Sequence, residues 1–369
     1  MKKLIALILC AALCLAFAAC GADTTPSADS HAVTDLIGRE VQVPNDIQRL
    51  AAIAGPTYEM TMMLGGADKV TLVKSGHTKN YPVALMIDDR LAAHDGLAAN
   101  PSSTVNIEDY LSKDIDLVLY YDNETELKKF DSVGMAAVVV SKNTGLLDTL
   151  EEARSQTIDQ YIENMTEPVA ILAETLGTEE AKAEYQQWHD YCAEKLRMVY
   201  ERTKDLSPED MPTVYWGNTW GEEMRMTYTM KNRWYEVHLA GGDLLAPTEN
   251  SNFPEVTQEQ LSDWDPDILI VDNHGGSPEL VIEDLKTGIN RELTAVKNGD
   301  IYRIPAGVFF LDKGTTVTLL VMWMAQNFHP ELFSDINMVD ELKYYYHEFY
   351  EFDLTDDQAQ MILDGWVEN

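Results

Sequence analysis

The chain has 369 residues, with 62 Asp and Glu against 27 Lys and Arg, a formal net charge of −35 at neutral pH. So acidic a molecule repels the phosphate backbone, which excludes the nucleic-acid-binding classes. The acid is spread along the chain and not gathered in one tail, the pattern of a solvated surface.

In chain order, Lys2 and Lys3 precede an apolar run from Leu4 to Ala19. That run is shorter than the roughly 18–20 residues a membrane span needs, and residues 1–19 are expected to be a secretory signal peptide. Ala18 and Ala19 stand directly before Cys20, and Gly21 follows. The stretch resembles a bacterial lipobox, with Phe17 where a branched aliphatic residue is usual. The resemblance implies lipidation of Cys20 and an exported protein held by acyl chains at the outer face of the cytoplasmic membrane. Ordinary signal cleavage near Ala19 is the alternative. Residues 20–34 are small, polar and unpatterned, as expected of a flexible tether. Of the four cysteines, Cys10 and Cys14 fall in the signal and Cys20 is the anchor, leaving Cys192 alone. No internal disulfide framework is expected, so core burial must hold the fold, more naturally in two lobes than one.

From Asp35 onward strand-like and helix-like segments alternate. Arg49–Gly55 and Lys69–Val73 read as strands flanking a helix over Pro56–Gly65, with proline near its start and glycine at its end. A short helix at Glu108, a strand over Asp116–Tyr121, a helix over Glu124–Ser132 and a strand over Ala136–Ser141 complete a first α/β lobe, expected over residues 35–177. Its last helical stretch, Thr149–Leu176, is expected to break at Pro168. Thr178–Lys204 holds neither Gly nor Pro and is rich in helix formers. Ala181, Tyr185, Trp188, Cys192, Leu196 and Val199 recur every three or four residues and mark one apolar face. A helix of that length reaches roughly 40 Å, more than one small lobe spans, so residues 178–205 are expected to bridge two lobes. Strands at Thr213–Gly217, Asp267–Asn273 and Asp300–Pro305, a helix over Trp234–Gly242 and a largely helical tail place the second α/β lobe over residues 206–369.

One phrase occurs twice. Asn106–Asn123 and Thr257–Asn273 each run from a glutamate through a short amphipathic stretch to Asp-x-Asp and an apolar run. Glu108 to Glu259 (259 − 108 = 151) and Asp116 to Asp267 (267 − 116 = 151) keep the same interval. Each lobe is thus expected to contain the same helix-to-strand element, in a doubly wound α/β layer.

Several stretches carry a family resemblance: Val33–Leu50 as an opening strand pair, Glu59–Val73 as a helix-turn-strand, and "LAGGDLLAP", "EQLSDWDPDILIV" and "VKNGDIYRIPAG" in the second half. "HPELFSDI" and "FYEFDLTDDQAQMIL" match closing helices. In this order they resemble the substrate-binding proteins of ABC importers for iron complexes, haem and cobalamin, the class whose lobes are joined by one long helix. The resemblance implies two α/β lobes with a ligand cleft between them, a monomer, no enzymatic activity, and a permease and ATPase as partners. It also implies that Glu108 and Glu259, one surface acid per lobe, dock on the permease. The alternative for both is a helix-start acid favoured by the dipole.

Ligands of open α/β sheets bind beyond the carboxyl ends of strands. Those positions bring forward His77, Lys79, Tyr81 and Tyr121 in the first lobe, and Trp216, Trp220, Arg225, Arg233, His274 and Phe309 in the second. Trp216, Trp220 and Phe309 suit stacking on a planar ligand, although for Trp216 the core is the favoured reading over a contact. Arg225, Arg233 and Lys79 suit carboxylate or catecholate oxygens. His77 and His274 are candidates to reach a metal centre, or they line the cleft without touching one. The expected ligand is an iron complex, a ferric siderophore or haem, with cobalamin and a molybdate-type oxyanion as alternatives within the same family. The eight histidines are scattered with no H-x-H or H-E-x-x-H spacing, against direct capture of zinc or manganese. No G-x-S-x-G elbow, P-loop or G-x-G-x-x-G motif points to an exported enzyme.

Overall fold

A computed structural model describes residues 29–74, 82–93, 95–97, 104–142, 147–218, 224–248, 253–272 and 278–365. Ser30–Thr34 (β1) and Glu40–Pro44 (β2) form an antiparallel pair in which Thr34 faces Glu40. Asp35 closes their turn, accepting from the amides of Ile37 and Arg39 and pairing with the Arg39 guanidinium at 2.8 Å. The tether expected over 20–34 thus gives way to a strand at its end. His31 anchors that strand through the Asn45 side chain at 2.9 Å and the Glu174 carbonyl at 3.0 Å.

The first lobe follows as Leu50–Ala52 (β3), Thr57–Met63 (α1), Val70–Lys74 (β4), Pro82–Ile87 (α2), Asp95–Leu97 (β5), Ile107–Leu111 (α3), Leu117–Tyr121 (β6), Glu124–Asp131 (α4) and Ala136–Ser141 (β7). Its strands are parallel in the order β5-β4-β3-β6-β7. Strands covered on both faces must be apolar throughout, and β3 and β6 are buried along nearly their whole length. The chain enters at β3, winds outward, then returns to place β6 on the other side of β3. That reversal is the topological switch point where open α/β sheets take ligands.

Three helices then connect the lobes: Leu150–Ser155 (α5), Ile158–Leu176 (α6) and Glu179–Thr203 (α7). The expected break at Pro168 falls instead at Gln156, before Thr157 caps α6. Thr149 and Thr157 each head a capping box, which starts a new helix more decisively than one proline ends one. Pro168 sits inside α6. α6 itself reaches both lobes, since Tyr161 stacks on Tyr235 with ring centroids 4.4 Å apart, while Glu174 meets His31. On α7 the predicted apolar face is buried at Ala181, Trp188, Cys192, Leu196 and Val199, with Tyr185 partly covered.

The second lobe comprises Thr213–Asn218 (β8), Met226–Thr227 (β9), Met230–Leu239 (α8), Asp243–Leu244 (β10), Gln258–Trp264 (α9), Ile268–Val271 (β11), Pro278–Thr287 (α10), Thr294–Asn298 (α11), Ile301–Arg303 (β12), Val317–Phe328 (α12), Met338–Tyr350 (α13) and Asp356–Leu363 (α14). Its sheet runs β10-β8-β11-β12 in parallel, with β9 antiparallel on the end of β8. The switch point lies between β8 and β11. Two doubly wound α/β lobes bridged by a long helix are therefore the architecture. Among the described residues no helix is long and apolar enough to cross a membrane.

Candidate functional site

A cleft of about 220 Å³ lies between the lobes. Pro56 and Met60, just after β3, and Val140 to Lys142, at the end of β7, bound it on the first lobe. The second lobe contributes Tyr228, Lys231, Arg233, Tyr235 and Glu236 on and before α8, with Phe253 and the turn Asp312–Gly314. Gln156, Tyr161, Asn164 and Pro168 make the wall from the connecting helices. The floor thus meets the carboxyl ends of strands, where the winding leaves a crevice.

Arg233 is the centre of the second-lobe wall. Its guanidinium lies 4.7 Å from the Trp216 ring centroid and 4.4 Å from that of Tyr228, held by both aromatic faces. It also pairs with the buried Asp312 carboxylate and donates to the Asp312 carbonyl at 3.1 Å. Burial opposes its charge most strongly, but the Asp312 carboxylate, together with Tyr228 and Glu236 beside it, outweighs burial and keeps the guanidinium firmly protonated. Next to it, Lys313 is accessible from the cleft, yet the enclosing walls exclude enough water to lower its ammonium from the ordinary range. Asp312 opposes that shift and Arg233 adds to it. Burial raises the Glu236 carboxyl towards its neutral form, with Arg233 opposing. Lys142, Lys231, Arg233 and Lys313 therefore gather four cations around one cleft, against the carboxyls of Asp312 and Glu236. In a chain of net charge −35 this is a local reversal of sign, and it suits an anion.

Behind the cleft, Glu59 on α1 is fully buried and reaches across to the second lobe, accepting from the Thr315 amide at 3.4 Å and the Thr316 hydroxyl at 3.3 Å. Burial raises its carboxyl to about 8, with those donors opposing. Gly314, at φ +72°, lets the turn approach: a Cβ there would stand 2.3 Å from the Glu59 carboxylate. Trp188 of α7 donates to the Thr315 carbonyl at 3.0 Å, so the bridging helix holds the same turn.

The structure distributes the sequence candidates unevenly. Arg233 lines the cleft. Trp216 is wholly buried and stands behind Arg233. Tyr121 ends β6 at the first switch point, its hydroxyl accepting from the Gly55 amide at 2.7 Å. Arg225 pairs with Glu255 at 2.8 Å, and Phe309 packs edge-on against Phe310. Tyr121, Arg225 and Phe309 are not among the described residues that bound the cleft. His77, Lys79, Tyr81, Trp220, His274 and the lipidation candidate Cys20 lie outside the described residues. Glu108 and Glu259 are both exposed, each in the first turn of its helix, α3 and α9. Among the described residues no group of three or more His, Cys, Asp or Glu is placed to hold a metal ion.

Sequence reasoning did not single out Lys142, Gln156, Tyr161, Lys231, Asp312 or Lys313. Lys142 follows β7 directly, and Asp312 and Lys313 belong to the loop after β12, so position beyond a strand end was a usable signal for these three. Gln156, Tyr161 and Lys231 come from helices and their caps, where nothing in the spacing says which face meets the other lobe.

The molybdate-binding protein MolA of Haemophilus influenzae is 22% identical over 340 residues, covering 89% of this chain and 93% of MolA. The crystal structure of MolA bound to molybdate superposes with a TM-score of 0.73 at 19% identity, covering 88% of this chain and 99% of that one. A periplasmic solute-binding protein of Veillonella parvula gives 0.70 at 23% identity, covering 91% and 97%. Helicobacter pylori CeuE with Ni(II) bound gives 0.68 at 17% identity, covering 90% and 99%. At these identities the structures speak for the fold. The family model for periplasmic binding proteins matches residues 50–308, most of both lobes, and the chain belongs to that family.

Proposed function

We propose that this chain is the extracytoplasmic solute-binding component of an ABC importer and that its cargo is a compact oxyanion of the molybdate type. The observation that carries this is the convergence of Lys142, Lys231, Arg233 and Lys313 on one small cleft in an otherwise strongly acidic chain. At about 220 Å³ the cleft is smaller than the roughly 300–1,000 Å³ usual for drug-sized ligands. Haem, cobalamin and most ferric chelates exceed that size. The likeness to MolA supports the same reading.

An anionic ferric complex is the second reading, favoured by the aromatic faces of Tyr228, Tyr235 and Phe253 on the cleft wall. Titration separates the two. Trp216 lies against Arg233, so an anion reaching the guanidinium should change tryptophan fluorescence. Saturable change with molybdate or tungstate, and none with a ferric hydroxamate, ferric catecholate, haemin or cobalamin, supports the oxyanion. The opposite ranking replaces it with the iron complex.

The exported location belongs with this role. Attachment through a lipidated Cys20 is part of the proposal, as is docking of Glu108 and Glu259 on the permease halves. Mass spectrometry of the N-terminal peptide from the membrane fraction tests the first. A free Gly21 or Cys20 amine without acyl chains would reject it.

A further inference from the structure

The start of α1 serves the cleft and the second lobe together. Pro56 and Met60 line the cleft, while Glu59 beside them is wholly buried behind it. A carboxyl so deep in a protein is costly unless it is bonded or neutral. Its bonds cross to the second lobe, from the Thr315 amide, the Thr316 hydroxyl and the Tyr350 hydroxyl. Thr315 is itself held from several sides. Its hydroxyl shares a bond with that of Tyr350 at 2.8 Å, and its carbonyl accepts from the Tyr345 hydroxyl at 2.7 Å as well as from Trp188.

Directly before Thr315, the residues Asp312, Lys313 and Gly314 line the cleft. Gly314 fits so closely on α1 that a Cβ would also stand 2.6 Å from Pro56 Cβ. Lys313 thus stands on a short turn fixed at both ends, Asp312 by Arg233 and Gly314 with Thr315 by α1. A cation held in place before its anion arrives binds it more tightly than one that must be ordered on binding.

The titratable groups facing Glu59 are Tyr345, Tyr346 and Tyr350 of α13, and burial keeps all three hydroxyls protonated. The other elements packed on α1 are α6, β3, β4 and the turn Ala67–Lys69, and none of them buries a charged residue. The proton that moves in this contact is therefore the one on Glu59.

We propose that Glu59 is a positioning residue for the cargo: docked on Thr315 and Thr316 in its neutral form, it fixes the turn that carries Lys313, and its ionisation loosens that turn and weakens binding. This rests on the reading of the cleft as an anion site. The sign follows from burial. Docked, the carboxyl titrates near 8, and released to water it returns towards 4.5, so the docked turn keeps a proton that the loosened turn loses. Affinity is full at low pH, falls as pH rises towards 8 and levels off above it, by at most about tenfold per pH unit.

The test is calorimetric titration with molybdate from pH 6.5 to 8.5 on the parent protein, Glu59→Gln and Glu59→Leu, with thermal unfolding confirming that each is folded. Lys313, whose ammonium is lowered by burial, titrates in all three, so the ratio of parent to Glu59→Gln isolates Glu59. The parent should lose about tenfold more affinity across this range than Glu59→Gln, whose carboxamide cannot ionise. Glu59→Leu, which fills the space but accepts no bond from the turn, should bind about tenfold more weakly than Glu59→Gln at pH 6.5. Should Glu59→Leu fail to fold, Thr316→Val removes one of the bonds to Glu59 and should weaken binding in the same direction. Parallel pH profiles for the parent and Glu59→Gln overturn the inference and leave the oxyanion reading standing, because a purely structural Glu59 would move the unfolding temperature and not the affinity. If molybdate does not bind the parent while a ferric chelate does, the oxyanion reading falls. The same series with that chelate then judges Glu59 separately.

Discussion

Asp116 and Asp267 perform the same clamp in the two lobes. Asp116 Oδ2 accepts from the amides of Gln48 and Arg49, each at 2.9 Å, and so fixes the start of β3 from the start of β6. Asp267 Oδ2 accepts from the amide of Thr213 at 2.9 Å and its hydroxyl at 2.7 Å, fixing the start of β8 from the start of β11. The pairs β3–β6 and β8–β11 are the two switch points, so the echoed aspartates set the strand pair at each reversal of the winding.

The clamp predicts a matched pair of stability losses. Asp116→Ala and Asp267→Ala should each lower unfolding free energy by about 1–3 kcal/mol, since each leaves backbone donors without their acceptor. Urea unfolding checks this. A loss at one position only would mean that the two aspartates are not equivalent.

Arg233 and Asp312 should separate binding from stability. Arg233→Met leaves the Asp312 carboxylate buried without its cation and should cost about 3–5 kcal/mol as well as abolishing anion binding. Adding Asp312→Leu removes the stranded charge and should restore most of the stability but none of the binding. Binding by the double variant would remove Arg233 from the site.

Glu59 predicts a pH dependence. Its carboxyl titrates near 8 in the fold against 4.5 ordinarily, so the folded protein keeps a proton that the unfolded chain has lost. The contribution is fully present below about pH 4.5, erodes as pH rises towards 8, and is gone above it, at most about 1.4 kcal/mol per pH unit. Glu59→Gln keeps the neutral carboxamide at every pH. The stability difference between the variant and the parent should therefore widen in the variant's favour from pH 5 to 8, and a constant difference would place the ionised form in the fold.

Cys192 should be inert. It is completely buried, and burial pushes its thiol up to about 12. A thiol reagent at pH 8 should leave the native protein unmodified and react once urea unfolds it. Modification at the native rate of a free thiol would show that α7 opens.

Glu108 and Glu259 should matter only to the importer. Changing either to Lys is expected to leave ligand affinity unaltered and to lower ligand-stimulated ATPase activity of the reconstituted importer. Unchanged activity in both variants would leave them as helix-start acids.

Much of the scaffold was legible in the residues because local physics decides it. The β7 strand, the α4 helix and the apolar face of α7 follow from periodicities that neighbouring residues impose on one another. Pro168 shows the limit of such local rules: it reads as a break, but two threonine capping boxes upstream set the boundary and tertiary packing carries α6 through the proline. Trp216 shows the same limit at the site. It lies within β8, where the sequence favoured the core and left a cleft contact open, and only the approach of α8 shows that it backs Arg233.

By itself the sequence determined two α/β halves, the helix-to-strand phrase they share, the helix between them and the excess of acid over the whole chain. Only the tertiary structure decided that Lys142, Lys231, Arg233 and Lys313, drawn from both lobes, would surround one cavity with Gln156 and Tyr161 on its third wall. Secondary structure is governed by contacts within a few residues, which a sequence displays. A binding site is governed by which faces of distant elements meet, and that depends on the packing of the whole chain.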